Sequence, residues 1–372
     1  MSGVELKNRW SVSHNPLVGL TLGRWLQLLR DNRFAISPAY WHRAAFLTGI
    51  AAINSFYARK ERCYDEGISA TEIKVQPLFI LGHWRSGTTH LHNLMSRPGS
   101  GFSYPTNYQA INAATFLWTE GAANRLFAGR VAGTRPMDNV PLDLRTPQED
   151  EFALSSQTLL SPYLGMSFPR AEARYDRYLT FEEADRWEID AWKSALLGYC
   201  RKLTYLHGSR PLVLKSPGHT ARIRMLLEVF PDAKFVHIHR HPDEVYRSFR
   251  HYWETTVWYW YLQRPDRRRL EESLIRRYRT MHDAYHEQRR LIPAGHLCEV
   301  RYEDLEREPV AEVGRIYEAL GLPAFDAFQP ELADYVASLE SYEKNRFKPL
   351  EEGLRQRLRQ AWQREYETWG YA

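Results

Sequence analysis

Cysteine is nearly missing from this chain. Cys63, Cys200 and Cys298 are scattered over 372 residues, with no spacing that suits a metal and no set that could form a disulfide framework. That excludes a disulfide-stapled secreted scaffold and points to a reducing, cytoplasmic setting. Long apolar runs are lacking too. The most apolar part of the first third, Phe46-Leu47-Thr48-Gly49-Ile50-Ala51-Ala52-Ile53, is far short of the roughly 20 residues of a membrane span. The opening residues carry no basic flank followed by an apolar core, so no secretory signal is expected. There is also no strong excess of either charge: 50 basic residues against 45 acidic ones leave +5. The clusters Arg267-Arg268-Arg269 and Arg276-Arg277 are interrupted by Leu270, Glu271, Glu272 and Ile275. They read as a solvated helix face, not as a nucleic-acid stripe. A small anionic ligand suits this balance better than a duplex. No internal repeats or low-complexity tracts occur.

One further absence is local. Pro77-Leu78-Phe79-Ile80-Leu81 reads as a short buried strand and Leu91-His92-Asn93-Leu94-Met95 as the opening of a helix. Between them lies Gly82-His83-Trp84-Arg85-Ser86-Gly87-Thr88-Thr89, two glycines spaced as in a P-loop. Backbone N–H groups of such a loop converge on one spot, and the helix start adds partial positive charge, so an anion is expected there. The lysine that triphosphate-binding loops carry after the second glycine is missing, and Thr88 stands in its place. Thr89 keeps a hydroxyl, and the cation has moved to Arg85. This arrangement is poorly equipped for β- and γ-phosphates with Mg²⁺. It suits a smaller, doubly anionic, metal-free group, and a phosphosulfate fits that description.

The rest of the chain supports one large α/β domain with additions, or two domains. Residues 1–75 read as a helical extension, with apolar residues at helical spacing from Leu17 to Leu29 and a second helix from Ala39 to about Tyr64, begun by Ser37-Pro38. This extension is either a layer packed on the main sheet or an amphipathic surface that touches membrane or a lipid acceptor. Residues 76–372 read as an α/β body. Its insertion at about 101–180 is irregular and aromatic, the expected acceptor region. Strands at 211–215, 234–239 and 297–300 alternate with helices at 181–207, 220–229, from Pro242, and up to Leu320. The segment from Leu350 is charged and helical and reads as a surface cover. The alternation predicts a parallel sheet with right-handed crossovers, a P-loop-like three-layer α/β/α fold. Ligands of such sheets bind beyond the carboxyl ends of the strands, where Gly82, Lys215 and Arg240 all fall.

These segments together resemble the sulfotransferases that use 3′-phosphoadenylyl sulfate (PAPS), specifically a bacterial branch related to the tyrosylprotein sulfotransferases. Arg85-Ser86-Gly87-Thr88-Thr89 is similar to the family's 5′-phosphosulfate loop. Phe235 to Ser248 is similar to its 3′-phosphate motif, in which a strand-end Arg and a Ser eight residues later clamp the phosphate, here Arg240 and Ser248. Tyr302-Glu303-Asp304-Leu305, with Pro309, is similar to its late strand–helix element, whose Tyr lies near the adenine. Lys344 or Arg346 falls where the family often has a late loop near the nucleotide. The resemblance implies metal-free in-line transfer of a sulfuryl group from PAPS to a hydroxyl or amine. Arg85 and Lys215 would serve the bridging and sulfuryl oxygens, and Thr88, Thr89 and the loop N–H groups the 5′-phosphate.

The general base is left open. Members with a histidine two residues after the matching lysine have no counterpart here, because Pro217 stands there. Glu149 and Glu151 of the acidic cluster Glu149-Asp150-Glu151 are candidates, although that cluster also reads as the first turn of a helix after Thr146-Pro147. His219 is another candidate, followed by His90 and His92. The acceptor is a small molecule, lipid or sugar. Aromatic residues from His251 to Leu262 offer a wall for it, or a packed core helix. Competing readings are a P-loop kinase-like nucleotide enzyme and an inactive PAPS- or lipid-binding relative.

Overall fold

Four short strands form the centre of the molecule, seen here in a computed structural model that describes residues 6–127, 133–134, 141–339, 345 and 347–371. They are β1 (Leu78–Leu81), β2 (Val213–Lys215), β3 (Lys234–His239) and β4 (Leu297–Arg301). All pair in parallel, in the order β2-β1-β3-β4. The register sets Phe79 beside Leu214 and Phe235, and Ile238 beside Val300. A parallel sheet must be covered on both faces, and the strand residues divide accordingly. Phe79, Leu81, Leu214 and Phe235 enter one core; Leu78, Ile80, Val213, Val236, Ile238 and Val300 enter another. The result is the three-layer α/β/α arrangement that the alternation of elements implies.

The strand order matters for the site. From β1 the chain crosses to β2 on one side, then returns past β1 to β3 on the other. Such a reversal opens a crevice at the strand tips, and the glycine loop after β1 lies in it.

In the N-terminal region, α1 spans Leu22–Asp31 and α2 spans Trp41–Glu61. The helix expected to start at Leu17 is broken. Pro16–Gly19 is a single 3₁₀ turn, and a Cβ on Gly19 would lie 1.7 Å from the Ile111 carbonyl oxygen. The close approach of the 107–111 segment thus requires glycine there. Fully buried Arg43 of α2 ties this region to the body by donating to the carbonyls of Ser11, Trp258 and Tyr261, each at 2.9 Å.

Between about 101 and 180 the described residues are less irregular than the sequence implies. Short helices occupy Asn107–Ile111, Phe116–Phe127, Glu151–Thr158, Tyr163–Ser167 and Glu172–Asp176. The helix expected over 181–207 begins at Arg186, where Asp185 and Glu188 form a capping box. The C-terminal segment is more than a surface cover. Trp362, Tyr366, Trp369 and Tyr371 are buried. Trp369 stacks on His239 at 4.8 Å, and the Tyr371 hydroxyl donates to Glu303 at 2.8 Å. The chain end is therefore packed beneath the tip of β3. Lys344 and Arg346, and the stretch 135–140, lie outside the described residues.

Candidate active site

The glycine loop is shaped by what crowds it. Gly82 has φ +143°, and a Cβ there would come within 2.5 Å of the Ile238 carbonyl oxygen on β3. Gly87 has φ +104°, and its Cβ would strike the Tyr302 ring at 2.2 Å. Both positions are left-handed and close-packed, so glycine is required at each. The helix α3 (Thr88–Met95) starts directly after Gly87, aiming its free N–H groups into the crevice. Ser86 has a role other than the expected one. Its hydroxyl and its N–H both donate to the His83 carbonyl, at 2.8 and 3.1 Å. Its donors are used to close the loop and do not face a ligand.

Arg85 also has a positive φ, +71°, a conformation that costs a non-glycine residue about 1–2 kcal/mol. Its Nε donates to Ser248 Oγ at 2.9 Å. Ser248 lies on the helix Pro242–Thr255, which follows β3 and has His241 as its N-cap. The Arg240 guanidinium sits 4.3 Å over the Tyr302 ring, and its Nη1 lies 3.5 Å from the Arg85 carbonyl oxygen. Arg85, Gly87, Arg240, Ser248 and Tyr302 therefore form one connected cluster.

The three consecutive acids have three different environments. Glu149 faces the crevice. It accepts from Lys215 Nζ at 2.7 Å and from the Tyr163 hydroxyl, while Lys215 also reaches Thr89 Oγ1 at 3.4 Å. Burial, then the neighbouring Glu149 charge, pushes the Tyr163 phenol well above its ordinary value, so it stays a donor. Asp150 is fully buried and accepts from Ser216 Oγ at 2.9 Å and His219 Nε2 at 2.6 Å. Burial pushes its carboxyl up, but the His219 charge and these hydrogen bonds outweigh burial and hold it below the usual range. Glu151 is also fully buried. It pairs with Arg222 at 2.6 Å and accepts from Ser161 at 2.6 Å.

Of the base candidates, Glu149 lines the cleft, whereas half-buried His90, in the first turn of α3, is not among its lining residues. His219 and Glu151 are enclosed in the core with Asp150 and Arg222. His92 is buried on the inner side of α3; burial, then the Lys215 charge, pushes its pKa down to about 3.

A cleft of about 750 Å³ leads from this point. Arg85, Thr88, Thr89 and Glu149 are among its polar lining residues, with Asn107, Gln148 and Thr256, and Trp84, Phe152, Tyr252 and Trp260 form aromatic walls. The N-terminal region adds Val12, Pro16, Val18 and Phe46. The aromatic stretch after His251 is used both ways: Tyr252 and Trp260 line the cleft, whereas Trp258 is packed beneath it.

A family model described as the sulfotransferase family matches residues 77–327. The chain belongs to this family. It is 36% identical over 342 residues to the omega-hydroxy-beta-dihydromenaquinone-9 sulfotransferases Stf3 of Mycobacterium bovis and Mycobacterium tuberculosis, an alignment covering 91% of this chain and 87% of either relative. Among solved structures it resembles sulfotransferase STF9 of Mycobacterium avium (TM-score 0.69, 18% identity, 90% of this chain and 86% of that one). It also resembles STF1 of Mycobacterium tuberculosis (TM-score 0.62, 17% identity, 91% and 90%). At such identities these structures speak for the fold alone. As a sulfotransferase the chain is a transferase enzyme, which removes the kinase alternative.

One contact of this sulfotransferase's site, between Trp84 of the glycine loop and Tyr163, has no signal in the sequence. Tyr163 accepts from Trp84 Nε1 at 3.1 Å and donates to Glu149, joining the glycine loop to the acid. Neither Tyr163 nor Trp84 belongs to a spacing that could have revealed the contact.

Proposed function

We propose that this sulfotransferase moves a sulfuryl group from PAPS to the hydroxyl of an apolar, lipid-like acceptor, with Glu149 as general base. The observation that carries the reading is the Glu149–Lys215 pair beside Thr89, with Glu149 and Thr89 in the lining of a cleft that also holds Trp84, Phe152, Tyr252 and Trp260. The residues present fit a donor bearing two separate anionic groups. The crowding at Gly82 and Gly87 admits no side chain at either end of the loop before α3, where N–H groups and the Thr88 and Thr89 hydroxyls would hold a 5′-phosphate. Arg240 and Ser248 would hold a 3′-phosphate through a fixed cation and a hydroxyl, with Tyr302 beside the base. PAPS supplies the activated sulfuryl group.

Arg85 and Lys215 stabilise the charge that spreads over the sulfuryl and leaving-group oxygens, the term that dominates transfers of this kind. Glu149 takes the proton of the acceptor hydroxyl. An ionised carboxylate has about four lone-pair sites, so accepting from Lys215 and Tyr163 leaves capacity for the acceptor. Tyr163 fixes one carboxylate oxygen and Lys215 the other, which sets the direction of attack.

The acceptor class rests on the cleft walls together with the relatives' printed substrate, an omega-hydroxy dihydromenaquinone. That substrate carries an alcohol on a large apolar molecule, and Phe152, Trp260 and Phe46 suit its chain. On this reading residues 1–75 are a helical extension of the α/β body, and the insertion near 101–180 supplies acceptor walls. The protein works in the cytoplasm, with its N-terminal helices in peripheral contact with the membrane that holds the acceptor. The set Arg85, Lys215, Glu149, Arg240 and Ser248 favours a working enzyme over an inactive binding relative.

Calorimetric titration with adenosine 3′,5′-bisphosphate in the absence of Mg²⁺ tests the donor assignment. Arg240→Ala should weaken binding by about 1.5–3 kcal/mol, the scale of a charged hydrogen bond. Equal binding by variant and wild type overturns the assignment.

A further inference from the structure

The helix α2 has two unlike sides. Its inner side buries Arg43, Leu47, Ala51 and Asn54. Its outer side presents Trp41, Ala45, Gly49, Ala52, Ile53 and Phe56, which helical spacing gathers on one stripe. Trp41 is 63% exposed, Ile53 52% and Phe56 56%. No charged residue occurs in the sequence between Arg43 and Arg59, after which Arg59 and Lys60 follow. A helix face turned to water normally carries charges, and a continuous exposed apolar stripe marks an interaction surface. No helix among the described residues is long and apolar enough to cross a membrane, so this stripe is suited to lying along a surface, with its basic end at headgroup level.

A second feature adjoins the Trp41 end of this helix. A cleft of about 900 Å³ is lined by exposed Arg264, Arg267, Arg268, Arg269 and Arg276 over Trp253 and Tyr261. Some of this charge is balanced: Arg267 lies 3.4 Å from Glu254, and Arg276 3.0 Å from Asp176. Glu172, Asp266 and Glu272 also face the cleft, where arginine still predominates. The Arg264 N–H donates to Ser37 Oγ at 3.0 Å, four residues before Trp41, and Arg43 binds the Tyr261 carbonyl. The start of α2 and the wall of the arginine cleft are thus fastened to each other. The stripe also borders the acceptor cleft, because Phe46, 38% exposed and three residues before Gly49 on the same helix, lines that cleft.

We infer that the outer face of α2 and the adjoining arginine cleft form a docking surface for a bilayer with anionic headgroups. The inference deepens the lipid-acceptor reading and rests on it for its purpose. The apolar stripe enters the headgroup boundary, the arginines take lipid phosphates, and Phe46 sets the rim of the acceptor cleft against the bilayer. An acceptor can then reach Glu149 with its apolar chain still in lipid.

Co-sedimentation of the full chain with vesicles tests this, comparing phosphatidylcholine alone with phosphatidylcholine plus phosphatidylglycerol. The anionic vesicles should bind at least about tenfold more tightly, with loss of the preference at high salt. The Ile53→Glu/Phe56→Glu variant should bind both vesicles about tenfold or more weakly. Arg268→Gln/Arg269→Gln should lose the preference for phosphatidylglycerol by about tenfold. Both variants should keep wild-type melting and wild-type affinity for adenosine 3′,5′-bisphosphate. Equal binding to both vesicles, or variants that bind like wild type, overturns the proposal. So does a dimer seen by sedimentation that Ile53→Glu/Phe56→Glu dissociates, since a second copy would then occupy the stripe. Transfer to a detergent-dispersed long-chain alcohol separates the two readings. Normal transfer without vesicle binding overturns the docking surface alone. Vesicle binding with no transfer to any lipid alcohol overturns the acceptor reading and leaves the docking surface standing.

Discussion

At the strand tips, Gly82, Lys215 and Arg240 each stand at the end of a strand or one residue beyond it, and the sheet fixes their positions relative to one another. The cleft wall facing them is assembled differently. Its residues come from the segments 12–18, 46, 107–111, 144–152 and 252–260, which meet only because helices pack. The donor side is thus carried by hydrogen-bonded backbone, and the acceptor side by side-chain packing between distant segments. Changes at a strand tip should be felt locally and chemically. Changes behind the cleft wall should be felt through stability.

Glu149 and Glu151 allow the sharpest test of that contrast: both belong to the cleft-wall segment, but Glu149 reaches across to Lys215 at a strand tip, whereas Glu151 lies behind the wall with Arg222. Glu149→Gln should lower kcat by about 10²–10⁴, the usual worth of a positioned general base, with bisphosphate affinity retained in calorimetry. A variant that turns over at the wild-type rate breaks the assignment. Glu151→Gln strands the Arg222 charge in the core. It should cost about 3–5 kcal/mol of stability, read as a shift in the urea midpoint. A loss of activity with unchanged midpoint would put Glu151 on the chemical side instead. The smallest effect, per unit of pH, comes from buried histidines, of which His83 and His92 belong to the donor side. Burial pushes His83 and His92 down to about 3, whereas in the unfolded chain they take up protons near pH 6.5. Protons therefore favour the unfolded state between these values. Stability should fall with pH from about 6.5 towards 3, by up to about 1.4 kcal/mol per pH unit for each ring. Urea melts between pH 7.5 and 4.5 check this, and His92→Gln should flatten the slope.

The donor side was legible because its demands are local. A short apolar strand, glycines at fixed spacing and a basic residue at the next strand ends can be read without knowing what packs on them. Ser86 is the instructive exception. The motif marks it, but its hydroxyl is turned back onto the His83 carbonyl, a choice made by the loop's own curvature. The acceptor side was mostly illegible for the corresponding reason. Three adjacent acids look alike in sequence, and only Arg222, Ser216, His219 and Lys215 tell them apart. Tyr163 belongs to no motif at all. The outer face of α2 was ambiguous because apolar residues occur on both sides of that helix, so periodicity could not indicate which side is buried. The aromatic residues near the C-terminus were hidden by the charges among them.

The lock on Glu149, Asp150 and Glu151 has a consequence for how this region can change over time. Each acid is assigned its partner by counting along the chain, so one residue gained or lost between Thr146 and Glu149 would pass each task to the wrong carboxylate. Upstream of Thr146 no such counting applies. Relatives that take differently sized acceptors should therefore vary in length before that point and keep a constant count from it through Glu151 and, separately, from Lys215 through Arg222.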